Sequence, residues 1–415
     1  MTDLKSQYPA FPALRRGSTA EVQLSSEADD GSICVLESAE ALEPHVAEME
    51  ALAVASSDSN PLFEARALQA AMAHLRSGGP VRVALVRSAP LAGGEPLLIG
   101  VFPFQARRFY LGLPFAIWSI WTHVHGFLAT PIVRAGYERQ ALRRFLAHAD
   151  RAGAPLLRFP MFEGGGAFDA ALSDVLAERG LAHVETGRHE RAFLKSELDG
   201  EAYLAATMRK KKRKEYNRLW NRLAEAGELR FVTHDGGAEL SAWVNRFLAL
   251  ERSGWKGKRG TALAERANER AFFERLCSEA RARGSLHCAE ILLDGKPIAM
   301  LASFLSGGGA HSFKIAYDED YARYSPGALL MMKAVGAFLG DPRIAWVDSC
   351  AVPNHPMIDH IWAERRTIRE VNAATAHLLS PLLIFYSARM THIAEWAWDR
   401  MRTLYHRLRK EVEHG

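Results

Sequence analysis

The chain has 415 residues, 48% of them hydrophobic and 24% charged, which excludes a disordered polypeptide and leaves room for two domains. Its formal net charge of +4 permits anionic ligands without demanding nucleic acid. Four cysteines (Cys34, Cys277, Cys288, Cys350) show no CxxC or Cys/His ligand spacing, so reduced structural thiols are expected and no metal. Residues 1–30 lack the apolar core of a signal peptide, and no run reaches the roughly 18 apolar residues of a spanning helix. A cytoplasmic location is the expectation.

Residues 1–31 read as a flexible tail, crowded with Ser, Glu and Asp and without periodicity. A strand is expected at Ile33–Leu36, a helix over Ala39–Ala55, and a second helix opening at Asn60-Pro61 and ending near Leu75. Val81–Arg87 and Leu97–Gln105 alternate as an antiparallel hairpin around Gly93-Gly94. Helices follow over Tyr137–Ala152 and Ala167–Arg179, with a strand at Leu156–Phe159 between them. Trp118, Trp121, His123, His125 and Phe127 crowd the stretch 115–131, which suits either an aromatic platform for an acceptor or, more ordinarily, a buried core with hydrogen-bonded histidines.

A strand at Phe193–Leu198 should cross into the second half, followed by one long helix over Glu201–Ala226. That helix contains six consecutive basic residues, Arg209–Lys214, while Leu204, Met208, Tyr216 and Trp220 step by four along one face. Lys212 falls on this apolar stripe, so Lys211 and Lys212 are read as facing a cleft and the remaining cations as a solvated face. A strand (Leu229–Thr233), a helix (Glu239–Glu251) broken at Ser253–Gly257, a helix (Phe272–Arg283) and a hairpin (His287–Leu293, Ile298–Phe304) repeat the element order of the first half.

The stretch 311–361 organises the chain. A strand over Ser312–Ala316 leads through a polar turn to a helix start at Ser325-Pro326-Gly327, with Ser as N-cap and Pro at the first helical position. Ala345-Trp346-Val347 is then a strand ending in Asp348. A helix start of this kind can seat a phosphate. The C-terminal run over 381–412, rich in Trp, Met and Arg, reads as an amphipathic helix that packs on the body or a partner, with a membrane surface as the alternative.

The basic helix RKKKRKEYNRLWNRLAEAG, the Trp255-Lys256-Gly257 break, the hairpin AEILLDGKPIAMLASF, then FKIAYDEDYARYSPGALLM and the strand WVDS together resemble the cellulose-biosynthesis (CelD/BcsL-type) acetyltransferases of the GNAT superfamily. Their tandem GNAT-like architecture is similar to that of the Fem aminoacyltransferases. The resemblance implies α/β mixed sheets, with a degenerate N-terminal GNAT-like domain at 32–192, a C-terminal acyltransferase domain at 193–378 and a helix at 379–415. It also implies an acyl-CoA cosubstrate, most simply acetyl-CoA, with Phe313 and Lys314 on the cofactor-facing strand and Arg323, Ser325, Gly327 and Ala328 around the pyrophosphate. Pro326 stands where a glycine is usual and contributes no N–H.

Direct attack by an amine or hydroxyl needs a proton acceptor, for which Asp348 is preferred and Asp318 and Glu319 are alternates. Tyr324 is assigned to protonate the leaving thiolate. Lys211, Lys212, Trp255 and Lys256 are assigned to the acceptor, a sugar or polysaccharide precursor. The rival readings are a Fem-like transfer from aminoacyl-tRNA, with tRNA on the basic helix, and a non-catalytic scaffold bound to polysaccharide-synthesis proteins.

Overall fold

The computed structural model describes residues 31–75, 79–90, 94–393 and 400. The expected tail before Gly31 and the Trp- and Arg-rich run after Ile393, apart from Arg400, lie outside the described residues. The first half begins with β1 (Ile33–Leu36), a 3-10 turn into α1 (Val46–Val54), and α2 (Ala65–His74). It continues through β2 (Arg82–Pro90), β3 (Pro96–Arg107), β4 (Ile117–Ile120) and the short β5 (Ile132–Val133). It closes with α3 (Glu138–Arg151), β6 (Leu156–Glu163), α4 (Ala167–Glu178) and β7 (His183–Leu194).

The second half opens with α5 (Gly200–Thr207), α6 (Lys210–Ala224) and β8 (Leu229–His234). Then come α7 (Leu240–Ser253), the one-turn α8 (Trp255–Lys258) and α9 (Ala267–Ala282). Strands β9 (Leu286–Leu293), β10 (Lys296–Ser306) and β11 (Gly309–Tyr317) precede α10 (Pro326–Leu339), β12 (Val347–Asp348) and β13 (Glu364–Ala374). A last helix, α11, covers residues 380–393.

All thirteen strands share one sheet, in the order β1-β2-β3-β4-β6-β13-β7-β12-β11-β10-β9-β8, with β5 beside β3. Each half runs antiparallel from its outer edge inward and then adds a parallel pair, β4 with β6 and β11 with β12. The final strand of each half crosses over. β7 pairs antiparallel with β12 of the second half, and β13 pairs antiparallel with β6 of the first. β7 and β13 pair with each other between them, so the seam between the halves is built from exchanged strands.

One large core joins the helices α1, α2, α3, α4, α7 and α9 to the sheet, and α2 packs directly on α9 across the halves. A second core lies under α5, α6 and α10, centred on Tyr203, Leu330, Phe338 and Trp362. A third, small one holds α11 against Tyr110, Ile117 and Leu156.

Two expectations of the sequence need correction. The crossing strand is β7, ending at Leu194, and does not reach Leu198. The single helix over Glu201–Ala226 is broken, with Met208 and Arg209 in extended backbone. Thr207 bonds its hydroxyl back onto the Tyr203 carbonyl at 2.8 Å in the last turn of α5, a contact that weakens and bends helices. The break sets the cations from Arg209 onward against the positive end of α6, whose first turn contains no acid, so the helix dipole opposes it.

Because β13 lies between β6 and β7, residues 32–192 lack the strand that joins their own last two. Expressed alone, this segment is expected to show no cooperative thermal transition by circular dichroism, whereas the full chain melts cooperatively. A cooperative melt of the isolated segment would contradict the exchanged-strand architecture.

Candidate functional site

The parallel pair β11–β12 is joined only at Ala310–Val347 and His311–Asp348. β11 continues to Tyr317, but after Asp348 the chain turns away, through a left-handed backbone at Cys350 (φ 52°). The two strands therefore part next to the start of α10. Within β11, Ala302 of β10 faces Lys314 while Ser303 faces Ser312, so Phe313 is an extra residue. Such a bulge re-aims the side chains that follow it.

The start of α10 fits closely over this gap. A Cβ built on Gly327 would lie 3.3 Å from Tyr317 Cδ1 and 3.5 Å from Met357 Sδ, so the helix start packs tightly on the end of β11. Ala328 is buried behind it. Ser325 occupies the N-cap position, but in left-handed backbone (φ 53°, ψ 53°) and without a side-chain cap bond. The expected serine cap is thus absent, and the Ser325 carbonyl instead receives Ala328 N–H and Leu329 N–H at 3.0 and 3.1 Å. Arg323 is exposed, with its guanidinium 4.8 Å from the Tyr324 ring. α6, which begins with the run of cations, packs beside this 3-10 turn.

Asp348, the preferred base, is completely buried. Its Oδ2 accepts from Arg191 at 2.6 Å and from Arg366 at 2.7 Å, and its Oδ1 accepts Cys350 N–H at 2.8 Å. Burial alone would raise its pKa, but Arg191 and Arg366 overcome that and hold the carboxyl well below the usual range. A carboxylate so engaged has little tendency to take a proton. The alternates are also engaged: Asp318 caps the turn through Asp320 N–H, and Glu319 pairs with Lys258. His311 and Cys350 lie within 4.8 Å of Asp348, but two guanidinium charges already occupy that carboxylate, and a metal cation there would be repelled.

The remaining predicted residues separate into two groups. The Phe313 ring is part of the large core, against Phe304 and Phe273, so only its backbone borders the gap. Lys211 is exposed, and Lys212 lies 3.3 Å from Glu215 and 4.9 Å from the Tyr216 ring. Trp255 is exposed with Arg259 stacked on it. These positions form the outer rim. Lys256 and Lys314 lie deeper. Lys256 Nζ donates to Glu251 Oε1 at 2.7 Å and to Ile315 O at 3.1 Å, tying α7 and α8 to β11. Lys314 is half-buried, with its ammonium over the Phe313 ring, and burial and then Lys256 lower its pKa.

Facing Lys314 is a set the sequence reading did not assemble. His125, from the first half, places Nε2 3.0 Å from Glu269 Oε2, at an angle too poor for a hydrogen bond. Burial, Lys314, Lys256 and Arg266 push its pKa down to about 3. His123 beside it is likewise pushed down to about 3, by burial, His125 and Lys314. Glu251 and Glu269 complete the set, both buried. Their signal in the sequence is a carboxylate within an apolar helical stripe: Glu251 follows Val244, Phe247 and Leu248, and Glu269 precedes Phe272, Phe273 and Leu276.

Residues 210–351 match a family of acetyltransferase (GNAT) domains. Among solved structures the chain is similar to FemX, at 12% identity and a TM-score of 0.54, over 82% of this chain and 98% of that one. It is also similar to the C-terminal domain of a putative lysylphosphatidylglycerol synthetase from Agrobacterium fabrum, at 14% identity and a TM-score of 0.49, over 84% and 96%. A tandem GNAT protein from the clavulanic acid biosynthesis pathway aligns at 14% identity and a TM-score of 0.42, over 83% and 98%. No curated protein matches the sequence. Residues 210–351 are thus similar to GNAT acetyltransferase domains, and they lie within a mixed α/β fold similar to that of FemX.

Replacing Asp348 with Asn leaves Arg191 and Arg366 buried without their anion, and is expected to cost about 3–5 kcal/mol in urea unfolding. His123, His125 and His311 are each held neutral by burial, with pKa values of about 3 against 6.5 unperturbed. Between those limits the unfolded chain binds protons that the folded chain does not, so stability falls as pH drops from 6.5 toward 3. The expected slope is on the order of 1 kcal/mol per pH unit for each histidine. Urea titrations across that window should show the fall, and His311→Gln should lower its slope by about one histidine's share.

Proposed function

We propose that the chain is a GNAT-type acyltransferase that moves an acyl group, most simply acetyl from acetyl-CoA, to an amine or hydroxyl of a sugar or polysaccharide precursor. The observation that carries this reading is the parting of β11 from β12 beside the closely packed, glycine-bearing start of α10. An extended pantetheine arm can pair with the backbone of Ile315 and Tyr317 in that gap. Its pyrophosphate would lie at Gly327 and Ala328, with Arg323 and the cations of α6 as counter-charges.

In the reaction the acceptor nitrogen or oxygen attacks the thioester carbonyl carbon, the C–S bond breaks, and the thiolate leaves. Lys314, whose ammonium donates no hydrogen bond to another described residue, is suited to hold the oxyanion of the tetrahedral intermediate. The neutral imidazole of His125, beside Glu269, is suited to accept a hydrogen bond from the acceptor, whose proton then passes to water, and Tyr324 to return one to the thiolate. In this reading Asp348 is a positioning residue that anchors β12, and the first half supplies His125 rather than a second site. An aminoacyl-tRNA donor is the second reading, favoured by the six cations at the start of α6.

Calorimetric titration with acetyl-CoA and CoA should show saturable binding, lost in Gly327→Trp. Heat with aminoacyl-tRNA alone, weakening steeply with salt, would select the second reading. Lys314→Ala is expected to lower kcat by about 10²–10³ at unchanged fold, the scale of losing one oxyanion donor. An Ala variant with full activity would remove Lys314 from the mechanism.

A further inference from the structure

The last described helix is apolar on two sides. Leu383 and Ile384 of α11 are buried against Tyr110, Ile117 and Leu156. Its opposite side presents Leu382 at 57% exposed and Phe385 at 54%, with Ile393 exposed one face-turn further on. A globular helix normally turns only one stripe inward, and one that is apolar all round is normally covered.

A second segment joins the exposed side. Between β3 and β4 the chain turns at residues 108–112, where Phe109 is 68% exposed and Leu111 is also exposed. Tyr386 Oη donates to Leu111 O at 3.0 Å, and the hydroxyls of Tyr110 and Ser387 are 2.7 Å apart. Asn372 of β13 bonds Ser387 as well, so turn and helix are held to the sheet as one unit. Two segments distant in sequence thus place Phe109, Leu111, Leu382 and Phe385 on adjoining surface. Single exposed hydrophobes need no explanation, but a rigid patch of large ones marks a contact.

The charges nearby are positive. Arg108 and Arg389 are both exposed at the patch. The sequence beyond Ile393 interleaves Trp396, Trp398, Leu404 and Leu408 with five cations, Arg400, Arg402, Arg407, Arg409 and Lys410, and four acids, Glu395, Asp399, Glu411 and Glu413, so its net charge is +1. Aromatic and aliphatic anchors among arginines suit the boundary between acyl chains and anionic headgroups. No helix of the described residues is long and apolar enough to cross a membrane, so contact through this patch would be peripheral.

We propose that α11 and the turn at 108–112 form one docking surface for an anionic lipid bilayer. Phe109, Leu382 and Phe385 enter the headgroup boundary, and Arg108 and Arg389 meet lipid phosphates. The surface is separate from the gap at β11, and the inference does not depend on the acyltransferase reading.

The test is co-sedimentation of the full chain with vesicles of phosphatidylcholine, with and without phosphatidylglycerol. Binding is expected with phosphatidylglycerol, weaker on neutral vesicles and weaker at high salt. Leu382→Glu with Phe385→Glu should lower partitioning by about tenfold or more. Arg389→Glu should remove part of the salt-sensitive share alone. Since these side chains are exposed, thermal melts of the variants should match the parent. Three results would overturn the proposal: no vesicle binding, binding indifferent to the double substitution, or light scattering that shows a dimer dissociated by that substitution with no affinity for vesicles.

Discussion

The carboxylate of Asp348 holds the two halves of this protein in one register. It sits on β12, and its partners Arg191 and Arg366 sit on β7 and β13, the two strands that the halves exchange. Arg366 reaches on to Glu163 at the end of β6, so one charged chain spans four adjacent strands. Taking such ions out of water costs several kcal/mol each, and their mutual attraction only roughly offsets that, so net stability is a poor explanation for them. Register is a better one. A slip of one residue in β7 or β13 would turn Arg191 or Arg366 to the other face and leave the buried carboxylate without a counter-charge. The knot therefore makes wrong pairings far costlier than it makes the right one favourable.

That constraint also shapes the gap. With Asp348 locked, β12 ends where its side chain is used, and the next residues are free to turn away through Cys350 while β11 continues. The same lock removes the carboxylate from acid–base chemistry, and a second set of titratable groups gathers around Lys314 of β11. There Lys314, Lys256, Glu251, Glu269 and His125 meet, His125 brought in from the first half through the loop before β5.

Much of the layout was legible. Alternation marks both hairpins, and the Pro326-Gly327 start of α10 falls where predicted because proline's fixed φ and missing N–H suit only a first helical position. The element order shared by the halves pointed to duplication, and the sheet has it. What local pattern cannot carry is the exchange. β13 reads Glu364-Arg365-Arg366-Thr367-Ile368, and the buried Arg366 interrupts the apolar alternation that would announce an interior strand. Asp348 misled for the same reason: a strand-end acid looks catalytic until its partners, one of them 157 positions away, are known. The apolar stepping by four keeps its phase through Met208, so periodicity does not register the break there.

The charge balance around Lys314 gives the proposed chemistry a physical basis. Three cations, Lys314, Lys256 and Arg266, face two carboxylates, Glu251 and Glu269, while the two histidines are neutral. Arg266 is paired with Glu269 and Lys256 with Glu251, which leaves the Lys314 ammonium uncompensated in a partly dry setting. A tetrahedral oxyanion beside it would supply the missing negative charge. It would also offset the repulsion that Lys314 adds to burial in depressing His125. The cluster is then poorly balanced when empty and well balanced at the transition state, which is the differential that catalysis requires.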